Sequence, residues 1–351
     1  LLNICLITAI LFFRGDSPAE TAVTQAIAVT VSGALQLLWL IWSCRRIGVV
    51  LKLARPRLSP QVKMLLAIIA PAAVGQGAIQ FNLLISTSLA ARFLPEGSVS
   101  WIYYADRLNQ LPLGLIGIGV GTAILPLLSR QIGAGNVRAA GDTQNRALEL
   151  ALFLALPAAI ALFVSAVPIV RGVFQHGAFT AADTLGCAAT LAAFAPGVPA
   201  YVFIKVLTPG FYARSDTRTP VRIALIAMLV NLVGNLILIW PLGPVGIALS
   251  TAVSAWVNAA LLFWALRRKD HLHLDARFRA KALRIIAAGA VMGATLLVGN
   301  DLLDAHMDAP FWGRIAALAL LCGGGALVYA IAAIGFGAYR IAELKAQLRR
   351  R

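Results

Sequence analysis

The feature that most constrains this chain is a series of apolar runs of roughly 20 residues or more, the length an α-helix needs to cross about 30 Å of hydrocarbon. Ten such segments lie near 1–13, 21–43, 64–91, 99–128, 147–168, 186–208, 220–240, 244–266, 282–300 and 312–337. Strand-like alternation and aromatic girdles are absent, which argues against a transmembrane β-barrel. Of the 351 residues 60% are hydrophobic and only 13% are charged, where a soluble domain would carry about 25% charge. The sequence therefore predicts an all-α polytopic membrane protein with about nine complete spans and a partial first one. The first segment starts at Leu1 with no charged flank. It reads either as a signal-peptide core or, better, as a chain that begins inside a helix.

A net charge of +16 invites a nucleic-acid reading, and its distribution rejects it. With alternate loops assigned to opposite sides, 25 of the 30 Lys and Arg fall on one side, at 45–63, 130–146, 205–222, 267–284 and 340–351. The other side holds Arg14, Arg92, Arg171 and Arg314, and Arg107 lies inside an apolar span. This bias is the positive-inside pattern. It predicts a cytoplasmic C-terminus and a basic surface that attracts anionic membrane lipids, with no nucleic-acid partner. Cys5, Cys44, Cys187 and Cys322 are scattered, and His271 and His273 have no acidic or cysteine partner at metal spacing, so neither a disulfide nor a metal site is expected.

Arg107, with Asp106 beside it, interrupts the 99–128 span. A charge at membrane depth costs at least a few kcal/mol, so such a residue lines a polar cavity or finds a partner. A guanidinium in a wet cavity suits bidentate capture of phosphate. The alternative is an ion pair with an acid on another helix, since adjacent residues point about 100° apart and Asp106 is poorly placed to pair. Arg107, Gln110, Gly114, Gly117 and Gly121 recur at helical spacing, so one face is expected to be polar at its outer end and small further in, with Pro112 able to bend it.

Asn231 and Asn235 are four apart, and Thr251, Ser254 and Asn258 follow on the next helix after the tight turn Pro241-Leu-Gly-Pro244. Two readings stand: interhelical hydrogen bonding, or a small cation site of Asn231, Asn235 and Thr251 built from neutral oxygens. Gln76, Gln80 and Thr87 share a face in the 64–91 segment, with Asn82 nearby, and read as helix glue.

Four stretches carry a resemblance: Ser98-Val-Ser-Trp-Ile-Tyr-Tyr-Ala-Asp-Arg-Leu108; Leu111-Pro-Leu-Gly-Leu-Ile-Gly117 with Ile124-Leu-Pro-Leu-Leu-Ser-Arg130; Phe174-Gln-His-Gly-Ala-Phe-Thr180; and Leu207-Thr-Pro-Gly-Phe-Tyr-Ala-Arg-Ser-Asp-Thr-Arg-Thr-Pro220. With these the chain resembles the MurJ/MviN family of lipid II flippases, within the multidrug/oligosaccharidyl-lipid/polysaccharide exporter superfamily. The resemblance implies a two-bundle exporter fold of fourteen helices around a cationic cavity, with a lipid-tail groove from the last two. This chain would hold the end of helix five through helix fourteen: 1–128 would span the end of the first bundle and the start of the second, 129–266 the second bundle, and 267–351 the groove helices and a basic tail. Without the first four helices it would not be a competent flippase.

Arg107 matches the family's cavity arginine, expected to meet the lipid II pyrophosphate, with Asp106 and Gln110 beside it as substrate-binding residues. Asn231, Asn235 and Thr251 match a sodium site seen in some members. Asn235 stands where an acidic residue can occur, and Asn82 likewise replaces one. The implied protein is a transporter of the bacterial inner membrane and not an enzyme: it flips lipid II by alternating access, with no cofactor, coupled to Na+ or to the membrane potential. An exporter of another polyprenyl-linked glycan, a drug or cation antiporter of the same superfamily, and a membrane glycosyltransferase are the alternatives.

Overall fold

The computed structural model describes residues 1–48, 58–60, 62–63, 80, 82–308 and 311–338. They belong to two units, Leu1–Ile69 and Ala70–Arg351.

In the first unit, α1 (Leu2–Phe12) and α2 (Pro18–Arg46) form a hairpin. Its turn is set by capping. Ser17 Oγ accepts from the Glu20 amide at 3.2 Å, the Glu20 carboxylate accepts from the Asp16 amide at 2.9 Å, and Pro18 occupies the first helical turn. Gln25 Nε2 ties the two helices by donating to the Leu6 carbonyl at 3.3 Å. Arg45 and Arg46 close α2, where cations favour the dipole.

The second unit contains a helical segment α3 (82–93), then α4 (Ser98–Pro112), a π turn (Leu113–Gly117) and α5 (Ile118–Gly133). After these come α6 (Val137–Val164), α7 (Ala166–Phe174), α8 (Ala181–Phe194), a 3-10 turn (Ala195–Gly197) and α9 (Val198–Tyr212). The unit continues with α10 (Arg218–Leu242), α11 (Pro244–Arg268), α12 (Ala276–Leu303), a 3-10 turn (Asp304–Asp308) and α13 (Phe311–Gly335). Among the described residues seven helices are long and apolar enough to cross a membrane, one of them the continuous run Ala181–Tyr212. The exposed apolar side chains, such as Trp240, Leu302 and Trp312 at 70–79% exposure, suit a lipid-facing surface. Most of the segment near 64–91 lies outside the described residues.

Three sequence expectations change on folding. The span near 99–128 is not one helix. Pro112 has no N–H to donate, its ring crowds the preceding turn, and the next five residues widen into the π turn. The single face from Arg107 to Gly121 is broken there. Arg107, Gln110 and Gly114 are exposed, while Gly117 and Gly121 turn to α9, where a β-carbon on either would meet Lys205 at 3.5 Å. Second, Pro209-Gly210 reads in the sequence as a helix end, since both residue types disfavour helix interiors, yet α9 continues to Tyr212. There Gln144 packs where a Gly210 β-carbon would sit, and Arg214 Nη1 donates to the Gly210 carbonyl at 2.6 Å. Third, α6 begins at Val137, ten residues before its apolar run, and is capped by Asn136, whose side chain accepts from the Ala139 amide at 3.0 Å.

Near the start of that run Glu149, nearly fully buried, belongs to a charge cluster. It pairs with Arg146, which also pairs with Asp275, and it faces Lys281 Nζ at 3.6 Å and Arg277 Nε at 3.9 Å. The cluster fastens α12 to α6. A second polar joint holds the loop before α10. Asp216 accepts from the Thr219 amide at 3.0 Å, from Thr219 Oγ1 at 2.7 Å and from Lys269 Nζ at 2.7 Å. Burial pushes the Asp216 carboxyl up, but the hydrogen bonds from Lys269 and Thr219 outweigh it and hold the group at about 2. Because the folded value lies below the ordinary one, the carboxylate stabilises the fold above about pH 4 and that contribution fades as pH falls toward the folded value. Asp216→Asn is expected to flatten the fall in Tm over this window, as followed by thermal unfolding of the purified protein across pH.

Candidate functional site

The site is built on α4. Its first turn is anchored by Trp101, whose Nε1 donates to Asp183 Oδ1 at 2.8 Å. Asp183 is itself fixed by a capping box with Thr180 at the start of α8. The Trp101 ring lies against Gly186, where no β-carbon has room. The stretch Phe174–Thr180 folds over the same end, with Tyr104 stacked 4.8 Å from Phe174 and 5.6 Å from Phe179. These contacts fix the rotation of α4 about its axis.

That rotation sends Asp106 and Gln110, four residues apart, into the wall of a cavity of 380 Å³. α3 supplies Asn82, Ser86 and Thr87, α9 supplies Tyr201, and α11 supplies Thr251. Asp106 is half-buried and accepts a hydrogen bond from Gln110 Nε2. Arg107 is placed differently from its two companions. It is exposed and does not line this cavity; its guanidinium lies over the ring of Tyr103, 4.7 Å from the centroid, and Tyr103 is a lining residue. Arg107 therefore stands beside the cavity, and among the described residues it has no ion pair. The expected trio is thus divided, two in the wall and one next to it, because neighbouring helical residues point about 100° apart.

Asn231, Asn235 and Thr251 do come together. Asn231 Nδ2 donates to Thr251 Oγ1 at 3.1 Å and to Ser250 Oγ at 3.4 Å; Asn235 Nδ2 donates to Ser86 Oγ at 2.8 Å and to Asn231 Oδ1 at 3.2 Å. Ser250 Oγ donates to the Asn231 carbonyl at 2.8 Å, and Thr251 Oγ1 to the Ile247 carbonyl at 2.8 Å. Asn82 Nδ2 reaches the Met228 carbonyl at 3.5 Å, and Gln76 lies outside the described residues. This set does not fit a sodium ion. Every side chain in it is neutral, and amide N–H groups stand between the oxygens that would have to converge on a cation. Within this set, among the described residues, Asn235 Oδ1 alone is buried without a partner, and the other oxygens would have to give up hydrogen bonds to supply the several ligands that a hard cation needs.

Sequence reasoning missed Ser86, Tyr103 and Tyr201. Ser86 had a signal, since it lies four residues after Asn82 on one helical face. Tyr201 had none, because only the packing of α9 against α11 brings it to the cavity.

A family profile described as "Lipid II flippase MurJ" matches residues 1–310. The chain is 40% identical over 298 residues to a probable lipid II flippase MurJ of Rhizobium tropici, covering 84% of this chain and 56% of that protein. A second relative, from Rhizobium meliloti, is 38% identical over 354 residues, covering 99% of this chain and 66% of its own length. The chain thus spans between about half and two thirds of these relatives. A solved structure, "Lipid II flippase MurJ, inward closed conformation", superposes with a TM-score of 0.71 at 22% identity, covering 95% of this chain and 65% of that one. At that identity it shows the shared fold.

Proposed function

Since the chain belongs to the lipid II flippase MurJ family, we propose that it moves a lipid-linked peptidoglycan precursor, lipid II, from the cytoplasmic to the periplasmic leaflet of the bacterial inner membrane, with its C-terminus on the cytoplasmic side. No bond is made or broken. The observation that carries this reading is a cavity with Asp106, Gln110, Ser86 and Thr251 in its wall, among helices with apolar outer faces, beside which the Arg107 guanidinium has no ion pair among the described residues. A guanidinium so placed offers parallel N–H donors to a pyrophosphate. Asp106 and Gln110 supply an acceptor and an amide to the sugar or peptide portion.

α12 and α13 pack on each other, with Gly299 against Leu321 and Gly325 against Leu296. In this reading their outer faces, and the surrounding membrane lipid, accept the polyprenyl tail. Alternating access presents the cavity to one leaflet and then the other. The membrane potential supplies the bias, about 2.3 kcal/mol per charge per 100 mV. No step is assigned to sodium.

The test is genetic. The open reading frame carrying this sequence, expressed in cells depleted of their own lipid II flippase, is expected to restore growth and shape. Failure to do so at normal membrane levels overturns the proposal. A second reading, a cation exporter of the same superfamily, is favoured by one observation: the carboxylate of Asp106 lines the cavity and Arg107 does not. It predicts resistance to cationic compounds without rescue.

A further inference from the structure

We propose that the amide cluster joining α3, α10 and α11 is an ion-independent joint, in which the amide of Asn235 holds the three helices together without a bound cation. Asn235 is fully buried, and its Nδ2 spans two helices at once, reaching Ser86 Oγ on α3 at 2.8 Å and Asn231 Oδ1 on its own helix at 3.2 Å. Asn231 Nδ2 carries the chain of bonds to Thr251 Oγ1 on α11 at 3.1 Å. The amide N–H groups thus occupy the space between Ser86, Asn231 and Thr251.

A cation there would have to expel these donors: turning both amides over would reverse the bond between Asn235 and Asn231 and lose the three to Ser86, Ser250 and Thr251, whose hydroxyls already donate to backbone carbonyls. No carboxylate belongs to the cluster among the described residues, so no negative charge helps to offset the dehydration of the ion. Close approach is built into the same joint: Ser250 Oγ packs where a β-carbon on Gly234 would sit, drawing α11 onto α10. Asp106 lines the cavity whose wall Ser86 and Thr251 also form; its hydrogen bond comes from Gln110, and none of the four amide bonds of the cluster reaches it.

This inference concerns the joint and not the cargo, so it stands or falls apart from the flippase reading. The full chain, purified in detergent, is titrated with NaCl against choline chloride at constant ionic strength while thermal unfolding is followed. Equilibrium binding of radioactive sodium is measured in parallel. The expected result is no saturable change in Tm and no saturable sodium binding. In Asn235→Asp, which supplies the missing charge, sodium is expected to raise Tm by about 2–4 °C. A saturable sodium response or stoichiometric binding in the unsubstituted chain overturns the proposal. If the variant does not fold, the measurements on the unsubstituted chain decide alone.

Discussion

Arg107→Ala is expected to abolish rescue of flippase-depleted cells at matched membrane levels, with Arg107→Lys restoring only part of it. The side chain is exposed and its one described contact is the stacking over Tyr103, worth about 0.5–1 kcal/mol at such a site. Removing it should therefore leave Tm nearly unchanged. Its value lies with the cargo. Hydrogen bonds to charged groups contribute about 1.5–3 kcal/mol each, so losing a two-pronged contact to pyrophosphate weakens binding by 100-fold or more. Lysine keeps the charge and loses the fork. Equal rescue by Arg107→Ala and the unsubstituted protein would remove Arg107 from the substrate path. Loss of rescue with a large fall in Tm would make it structural.

Glu149→Leu is expected to be the most destabilising single change in the α6–α12 interface, at about 3 kcal/mol. Removing one member of a buried ion pair typically costs about 3–5 kcal/mol. The lower end applies because Arg146 and Arg277 are 32% and 53% exposed and can rehydrate. Lys281, at 10% exposure, cannot. Glu149→Leu combined with Lys281→Met should recover much of the loss, since well-packed apolar pairs replace buried ion pairs at little cost. Unfolding of purified single and double variants provides the measurement. An equal fall in both would show that Arg146 and Arg277, not Lys281, are the partners that matter.

Most of the helical framework was legible in the sequence, because a span must be apolar over a fixed length and the basic loops mark the breaks. The turn at Gly243 was legible for the same reason, as a glycine between two prolines at a span boundary; its φ of 56° is one that a β-carbon disfavours. Within the site, the spacing placed Gln110 on one face with Arg107, whereas in the structure it is Asp106, four residues before Gln110, that shares the cavity wall with it. Arg107 was not readable as standing apart, because that depends on the rotation of α4, which Asp183 and the Phe174–Thr180 stretch impose from more than 60 residues away. The Glu149 cluster stayed hidden for a similar reason. Its partners Asp275, Arg277 and Lys281 lie well over 100 positions down the chain, and no local pattern connects them. The amide cluster lay between these extremes, since the sequence placed its members on facing helices while only the direction of the N–H groups separated a joint from an ion site.

The π turn after Pro112 has an arithmetic consequence. A π turn accommodates one residue more than the α-helical turn it replaces, so α4 and α5 are out of phase by about one residue's rotation. The phase between the half that carries Asp106 and Gln110 and the half that packs on α9 is therefore set by how many residues lie between Pro112 and Ile118. Gly114 shows the freedom this leaves, since a β-carbon there would meet nothing within 4 Å. Drift is open at Gly114, whereas Ile116 and Gly117 are buried and Leu113 packs on the core. A single codon lost there would set the packing of α4 on α8 against that of α5 on α9.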